Sequence, residues 1–210
     1  MGMILGKITV ETPKHEVLQS TNEYEIRKYP SSVIAEVTYD PTQMNGNKDG
    51  GFTILANYIG ALGNPQNTKA ESVAMTAPVV TQSKAVDVGE KIAMTAPVVT
   101  KEQRSGDSEG GEKKMVTMQF ILPDKYKRVE DAPKPLGERV VIKEEGERKY
   151  GVVKFSGVAS DGVVKDKVEG LRVALEKDGY KVIGEHLLAR YNPPWTLPFL
   201  RTNEVFLPVE

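Results

Sequence analysis

No cysteine occurs in the 210 residues, which rules out disulfides, thiolate metal sites and a cysteine nucleophile. A reducing compartment is compatible with that. Neither sign of charge dominates: 28 basic residues face 29 acidic ones for a net charge of −1, so there is no electrostatic footprint for nucleic acid or an anionic membrane. Long hydrophobic runs are also lacking. The short run Met3 to Leu5 has no h-region behind it, and Gly6 stands where a myristoylation signal wants Ser or Thr. No membrane span and a cytoplasmic protein are therefore expected. The chain has no Gly-rich phosphate loop, no His-Glu-x-x-His helix and no nucleophile elbow.

What is present begins with a repeat. Met75 to Thr81 recurs letter for letter at Met94 to Thr100, inside the longer matches Val73 to Thr81 and Ile92 to Thr100. An offset of 19 residues is too short for a unit with its own core, so this is a duplicated strand within one domain. The length suits a single domain with a substantial core. One copy is expected to pair in the sheet, while the other, with Gln82 to Lys91, forms an excursion able to cover the first helix. Lys101 to Lys114 is charged and carries no apolar residue, which reads as a mobile loop.

Strand chemistry dominates the remainder. Tyr24 to Tyr29 and Val33 to Tyr39, separated by Pro30-Ser31-Ser32, read as a hairpin. Phe52, Leu55, Ile59 and Leu62 mark a helix capped at Asp49 and stopped at Gly63. Val116, Met118, Phe120 and Leu122 then fall on one face of a strand from Val116 to Leu122. The second half repeats the order, with a hairpin of Val140 to Lys143 and Tyr150 to Phe155 and strands at Leu187 to Tyr191 and Glu204 to Val209. Its helix carries Val164, Val168, Leu171 and Leu175 between Asp161 and Gly179. The expected fold class is α+β: two β-β-α-β-β halves, about 20–123 and 138–210, forming a pseudo-twofold-symmetric, barrel-like antiparallel sheet flanked by two α-helices, with a mobile insertion at about 82–114.

The helices differ. Nine of the eighteen residues from Asp161 to Asp178 are charged, so the second helix has a solvated outer face. The first has no charged residue from Gly50 to Thr68, and Ile54, Tyr58 and Ala61 form a second apolar face. A repeat-copy loop, a subunit partner or a flat apolar ligand could meet that face.

Five motifs in register point to a family: Tyr24-Glu25-Ile26-Arg27-Lys28-Tyr29, Asn57-Tyr58-Ile59-Gly60, the Met-Thr-Ala-Pro-Val strand, Ala189-Arg190-Tyr191-Asn192-Pro193-Pro194-Trp195 and Arg201-Thr202-Asn203-Glu204-Val205. Together they resemble the SOUL haem-binding proteins, and the tandem strand is similar to that of plant cytosolic members. The resemblance implies reversible binding of haem or another tetrapyrrole at a hydrophobic cleft beside the first helix. Its pocket candidates are Phe52, Leu55, Ala56, Tyr58, Ile59 and Met75, with Lys48 and Asn57 at the rim.

A porphyrin presents apolar faces and two carboxylates, so its site needs apolar walls and cations or amide donors. Some relatives have a histidine, proposed as axial ligand, where this chain has Lys28, and others have basic residues where it has Asn57. Loose carriage through apolar burial is the implied mode, which at roughly 25 cal/mol per Å² reaches micromolar affinity. His15 and His186 read as surface or structural residues, and Met75, Met94 and Met118 read as core fillers ahead of soft pocket walls. Arg201 and Glu204 read as strand-pairing and loop-anchoring groups.

The expectation is a non-catalytic cytosolic carrier or buffer of porphyrins, monomeric and without nucleic-acid partners. Two alternatives stand beside it: a protein-interaction module acting on an enzyme of tetrapyrrole metabolism, and a small-molecule hydrolase on a related effector-binding fold, using an acid such as Glu36 or Glu144.

Overall fold

The computed structural model describes residues 8, 10–44, 50–86, 113–192 and 196–210. Among them are nine strands, β1 (Glu16–Ser20), β2 (Glu25–Tyr29), β3 (Ser32–Tyr39), β4 (Val79–Val86), β5 (Lys113–Ile121), β6 (Val141–Glu145), β7 (Arg148–Ser156), β8 (Leu187–Arg190) and β9 (Thr202–Pro208), and two helices, α1 (Gly50–Ile59) and α2 (Asp161–Lys177). All nine strands join one antiparallel sheet in the order β1-β2-β7-β9-β8-β4-β5-β3-β6. The α+β reading, a twisted antiparallel sheet with two helices, describes this architecture. None of the described helices is long and apolar enough to cross a membrane.

Neither expected hairpin forms. β2 pairs with β7, and β3 pairs with β6. In both ladders the paired residue numbers add to 177, from Glu25↔Val152 to Tyr29↔Arg148 and on from Ser32↔Glu145 to Glu36↔Val141. The register therefore runs unbroken across the two-residue links 30–31 and 146–147. Each apparent turn is a bend in a long strand, and Pro30, which has no N–H to donate, is tolerated where the ladder is interrupted. The first strand of each half thus pairs with the second strand of the other. This ladder also draws the two ends of the sheet together, so the sheet curls.

Both helices lie on one side. α1 packs on Ala35, Val37, Tyr39, Met118 and Phe120, and α2 packs through Val164, Leu171 and Leu175 on Val205, Leu207 and Ile26. Two glycines permit the close approach: a Cβ on Gly51 would lie 2.5 Å from the Tyr39 ring, and one on Gly151 2.6 Å from a Leu175 methyl. α1 ends at Ile59 because Gly60, at φ +79°, turns the chain. That is one turn before the expected stop at Gly63, and it leaves Leu62 58% exposed instead of on the apolar stripe. The expected cap at Asp49 lies outside the described residues.

The second face of α1 is met by the chain between β5 and β6. Tyr126 and Ala132 are buried against it with Val140 at the edge, and the Tyr58 hydroxyl donates to the Pro133 carbonyl at 2.8 Å. At Tyr58 a connecting segment already covers this face, while Ile54 is half-buried and Ala61 exposed. Of the two repeat copies, the first enters the sheet at Val79. Gln82 to Val86 do not leave the sheet as an excursion but extend β4 along Lys113 to Thr117. The second copy lies outside the described residues.

Candidate functional site

The sequence-derived residues fall into two groups. Leu55, Ala56, Tyr58 and Ile59 are at most 2% exposed, and Leu55, Tyr58 and Ile59 belong to the α1 core cluster. Burial pushes the Tyr58 phenol well above its ordinary pKa. A macrocycle could touch these four only by displacing the packing between α1 and the sheet. Phe52, Asn57 and Met75 are half-buried. Phe52 sets its ring edge-on to Phe120 at 5.6 Å, and Met75 borders the same cluster. Lys48 lies outside the described residues. Arg201 anchors a loop, as its motif suggested, through Nε donating to the Thr196 carbonyl at 2.8 Å.

Sheet order leaves β4 and β8 between the strands that carry α1 and those that carry α2. A cavity of about 430 Å³ opens there, against α2. Its apolar surface comes from Val116, Val164, Val168 and Leu188. Val116 also belongs to the α1 core and Leu188 to the α2 core, so the groove runs between the two clusters. Asp161, Lys165, Glu169 and Arg172 line it from one face of α2, and His186 and Arg190 line it from the β8 side. Three cations against two carboxylates leave a net positive rim. Sequence reasoning treated α2 as a cover. The available signal was the row Asp161, Lys165, Glu169, Arg172 at helical spacing beside Val164 and Val168.

The opposite side of the sheet carries a buried charge network. Arg27 is 8% exposed and Glu204 4%. Arg27 Nη1 donates to Glu204 at 3.1 Å, its Nε to Glu25 at 2.6 Å, and the Tyr191 hydroxyl to Glu204 at 2.6 Å. Burial, then the Glu204 charge, holds the Tyr191 phenol neutral far above its usual range. The candidate acid Glu36 is paired with Lys143 at 2.7 Å, and Glu144 is exposed. Beneath Pro13, a second cavity on this side measures about 40 Å³.

No curated protein matches the sequence. The model of the family described as SOUL heme-binding protein matches residues 10–88 and 82–208. The chain belongs to the SOUL haem-binding family. Haem is the ligand that this membership supports. Solved structures similar to this SOUL chain include the C-terminal domain of EcmrR, at 11% identity and TM-score 0.55 over 90% of this chain and 97% of that one. Others are an uncharacterized conserved protein from Listeria innocua, at 13% identity and TM-score 0.51 over 90% and 92%, and a hydrolase from the same organism, at 12% identity and TM-score 0.50 over 92% and 94%. At these identities the likeness shows the fold alone.

Volume decides which cavity suits the family's ligand. Pockets for organic ligands run from about 300 to 1,000 Å³; the groove beside α2 reaches 430 Å³, and the 40 Å³ cavity does not. The groove residues also fit haem chemically. Val116, Val164, Val168 and Leu188 offer an apolar surface to the macrocycle, Lys165, Arg172 and Arg190 offer donors to its carboxylates, and His186 supplies an imidazole.

Proposed function

We propose that this SOUL chain is a reversible carrier or buffer of haem and related tetrapyrroles, without catalysis of its own, and that it holds the macrocycle in the groove between α2 and strands β4 and β8. The observation that carries this reading is the coincidence, in one groove of about 430 Å³, of the four aliphatic side chains Val116, Val164, Val168 and Leu188 with three cations. Most of the affinity comes from burial of the ring faces, with the cations fixing its orientation.

The test is a titration with hemin and with metal-free protoporphyrin, followed in the Soret band, on wild type, Val168→Asp and Ile59→Asp. Val168 is half-buried on the groove wall, so its aspartate should weaken both ligands about tenfold or more while thermal unfolding changes little. Ile59→Asp, in the core, should lower stability first. Bound hemin should pass to an excess of a tighter haem-binding competitor. Absence of saturable binding contradicts the reading. Binding of hemin alone, lost in His186→Ala, would replace an apolar carrier with an iron-ligated site.

A further inference from the structure

On the side of the sheet turned away from both helices, Tyr29, Tyr150, Val152, Ala189 and Phe206 are buried as a cluster of their own. Tyr150 and Phe206 meet edge-on at 5.5 Å, and Tyr29 lies 5.9 Å from Phe206. Tyr29 of β2 and Gln119 of β5, on strands near opposite ends of the sheet order, line the same small cavity, so this is the concave side of the curled sheet.

The segment Glu11–His15 lies over this concavity. The Glu11 carbonyl accepts from Ala77 N at 3.0 Å, its carboxylate accepts from Asp124 N at 2.8 Å, and the His15 ring rests 5.0 Å from the Tyr29 ring. Four of these five side chains are exposed, and Pro13 alone is half-buried, pointing into the cavity. About 40 Å³ remains beneath it, whereas one benzene ring needs roughly 150 Å³. An aromatic guest therefore enters only in place of Pro13.

The polar lining specifies the guest further. Arg148 Nε is buried without a hydrogen-bond partner, the one side-chain atom so placed among the described residues. The rest of the guanidinium is engaged, by an ion pair to Glu145 and by Nη2 donating to Ser32 Oγ at 2.9 Å. The nearby carboxylates are engaged too: Glu145 also accepts from Gln119, Glu36 from Gln119 and Lys143, and Glu204 from Arg27 and Tyr191. The unmet demand is for an acceptor, and a further anion would lie beside Glu145.

We propose that this concavity is a second ligand site, separate from the haem groove, for a small uncharged aromatic carbonyl compound. Its ring takes the place of Pro13 among Tyr29, Tyr150, Tyr191 and Phe206, its oxygen accepts from Arg148 Nε, and Glu11–His15 is the displaceable cover. Four aromatic walls favour a ring through edge-to-face contacts, and the hydrogen bond satisfies a donor otherwise left buried and unpaired.

Benzamide and benzoate, titrated by ligand-observed NMR into the full chain, test this. The variants are Pro13→Gly/His15→Ala, which thins the cover while keeping both Glu11 anchors, and Arg148→Lys, which keeps a cation for Glu145 but has no Nε. Benzamide should bind the thinned variant about tenfold more tightly than wild type and more tightly than benzoate, and Arg148→Lys should weaken it about tenfold in either background. The Arg148→Lys comparison in wild type keeps the test decisive should the double variant fold poorly. Benzoate equal to or better than benzamide, indifference to Arg148→Lys, or no benzamide binding to any form would overturn the proposal.

Discussion

Arg27 and Glu204 are buried side by side at 3.1 Å, and such a pair is more costly to break than to replace. Arg27→Met leaves Glu204 charged, buried and short of its main partner, and should lower unfolding stability by about 3–5 kcal/mol. Arg27→Met with Glu204→Leu should recover much of that loss in a urea-unfolding cycle. Equal loss in single and double variants would show that packing, not charge, dominates here. Tyr29, beside Arg27, bears on pH: burial pushes its phenol up to about 12. Its folded pKa lies above the unfolded value near 10, so the stability this implies is fully present below pH 10 and is lost as pH rises toward 12. Urea unfolding should weaken over that window, and Tyr29→Phe should flatten the decline; a flat profile in wild type would contradict it. At this scale the sequence was half legible. Apolar spacing located Leu55 and Ile59 on a packing face, but spacing cannot separate a face turned to a core from one turned to a ligand, and the covering residues Tyr126, Ala132 and Pro133 come from more than 60 positions away.

Elements were more legible than their pairing. Period-two patterning located β2, β3, β6 and β7 because alternation reports a half-buried strand, yet it is silent on which strand lies beside which. Pro30-Ser31-Ser32 and the link between Lys143 and Tyr150 looked like turns and are bends, since a proline or glycine marks an interruption of the ladder equally well in either case. The helices show the same limit. α2 was recognised from its stripe, while its role as a groove wall depends on β4 and β8 lying beside it. Gly151 sets that spacing. Gly151→Ala places a methyl 2.6 Å from Leu175, which is fully buried, so α2 must shift outward. The expected cost is about 1–3 kcal/mol, with a matching change in hemin affinity because Val164, Val168 and Arg172 move with the helix. Unchanged unfolding and unchanged hemin affinity would argue that the α2 contact is soft.

Across the whole molecule, the two sides of one sheet have separate chemistry. The unbroken β2–β3 with β6–β7 ladder curls the sheet, sets the helices outside and encloses the aromatic and charged cluster within. Five dispersed motifs carried the family resemblance, and the match over residues 10–88 and 82–208 bears it out. The groove escaped sequence reading because its residues come from α2, β4, β5 and β8 and meet only through topology. The central claim is that haem occupies this groove. The paramagnetism of hemin tests it directly: in a methyl-labelled sample, substoichiometric hemin should broaden Val116, Val164, Val168 and Leu188 first, leaving Val152 and Ala189 sharp. Broadening centred on Val152 and Ala189, or on Ala61 and Leu62 at the end of α1 with the groove methyls unaffected, would contradict it.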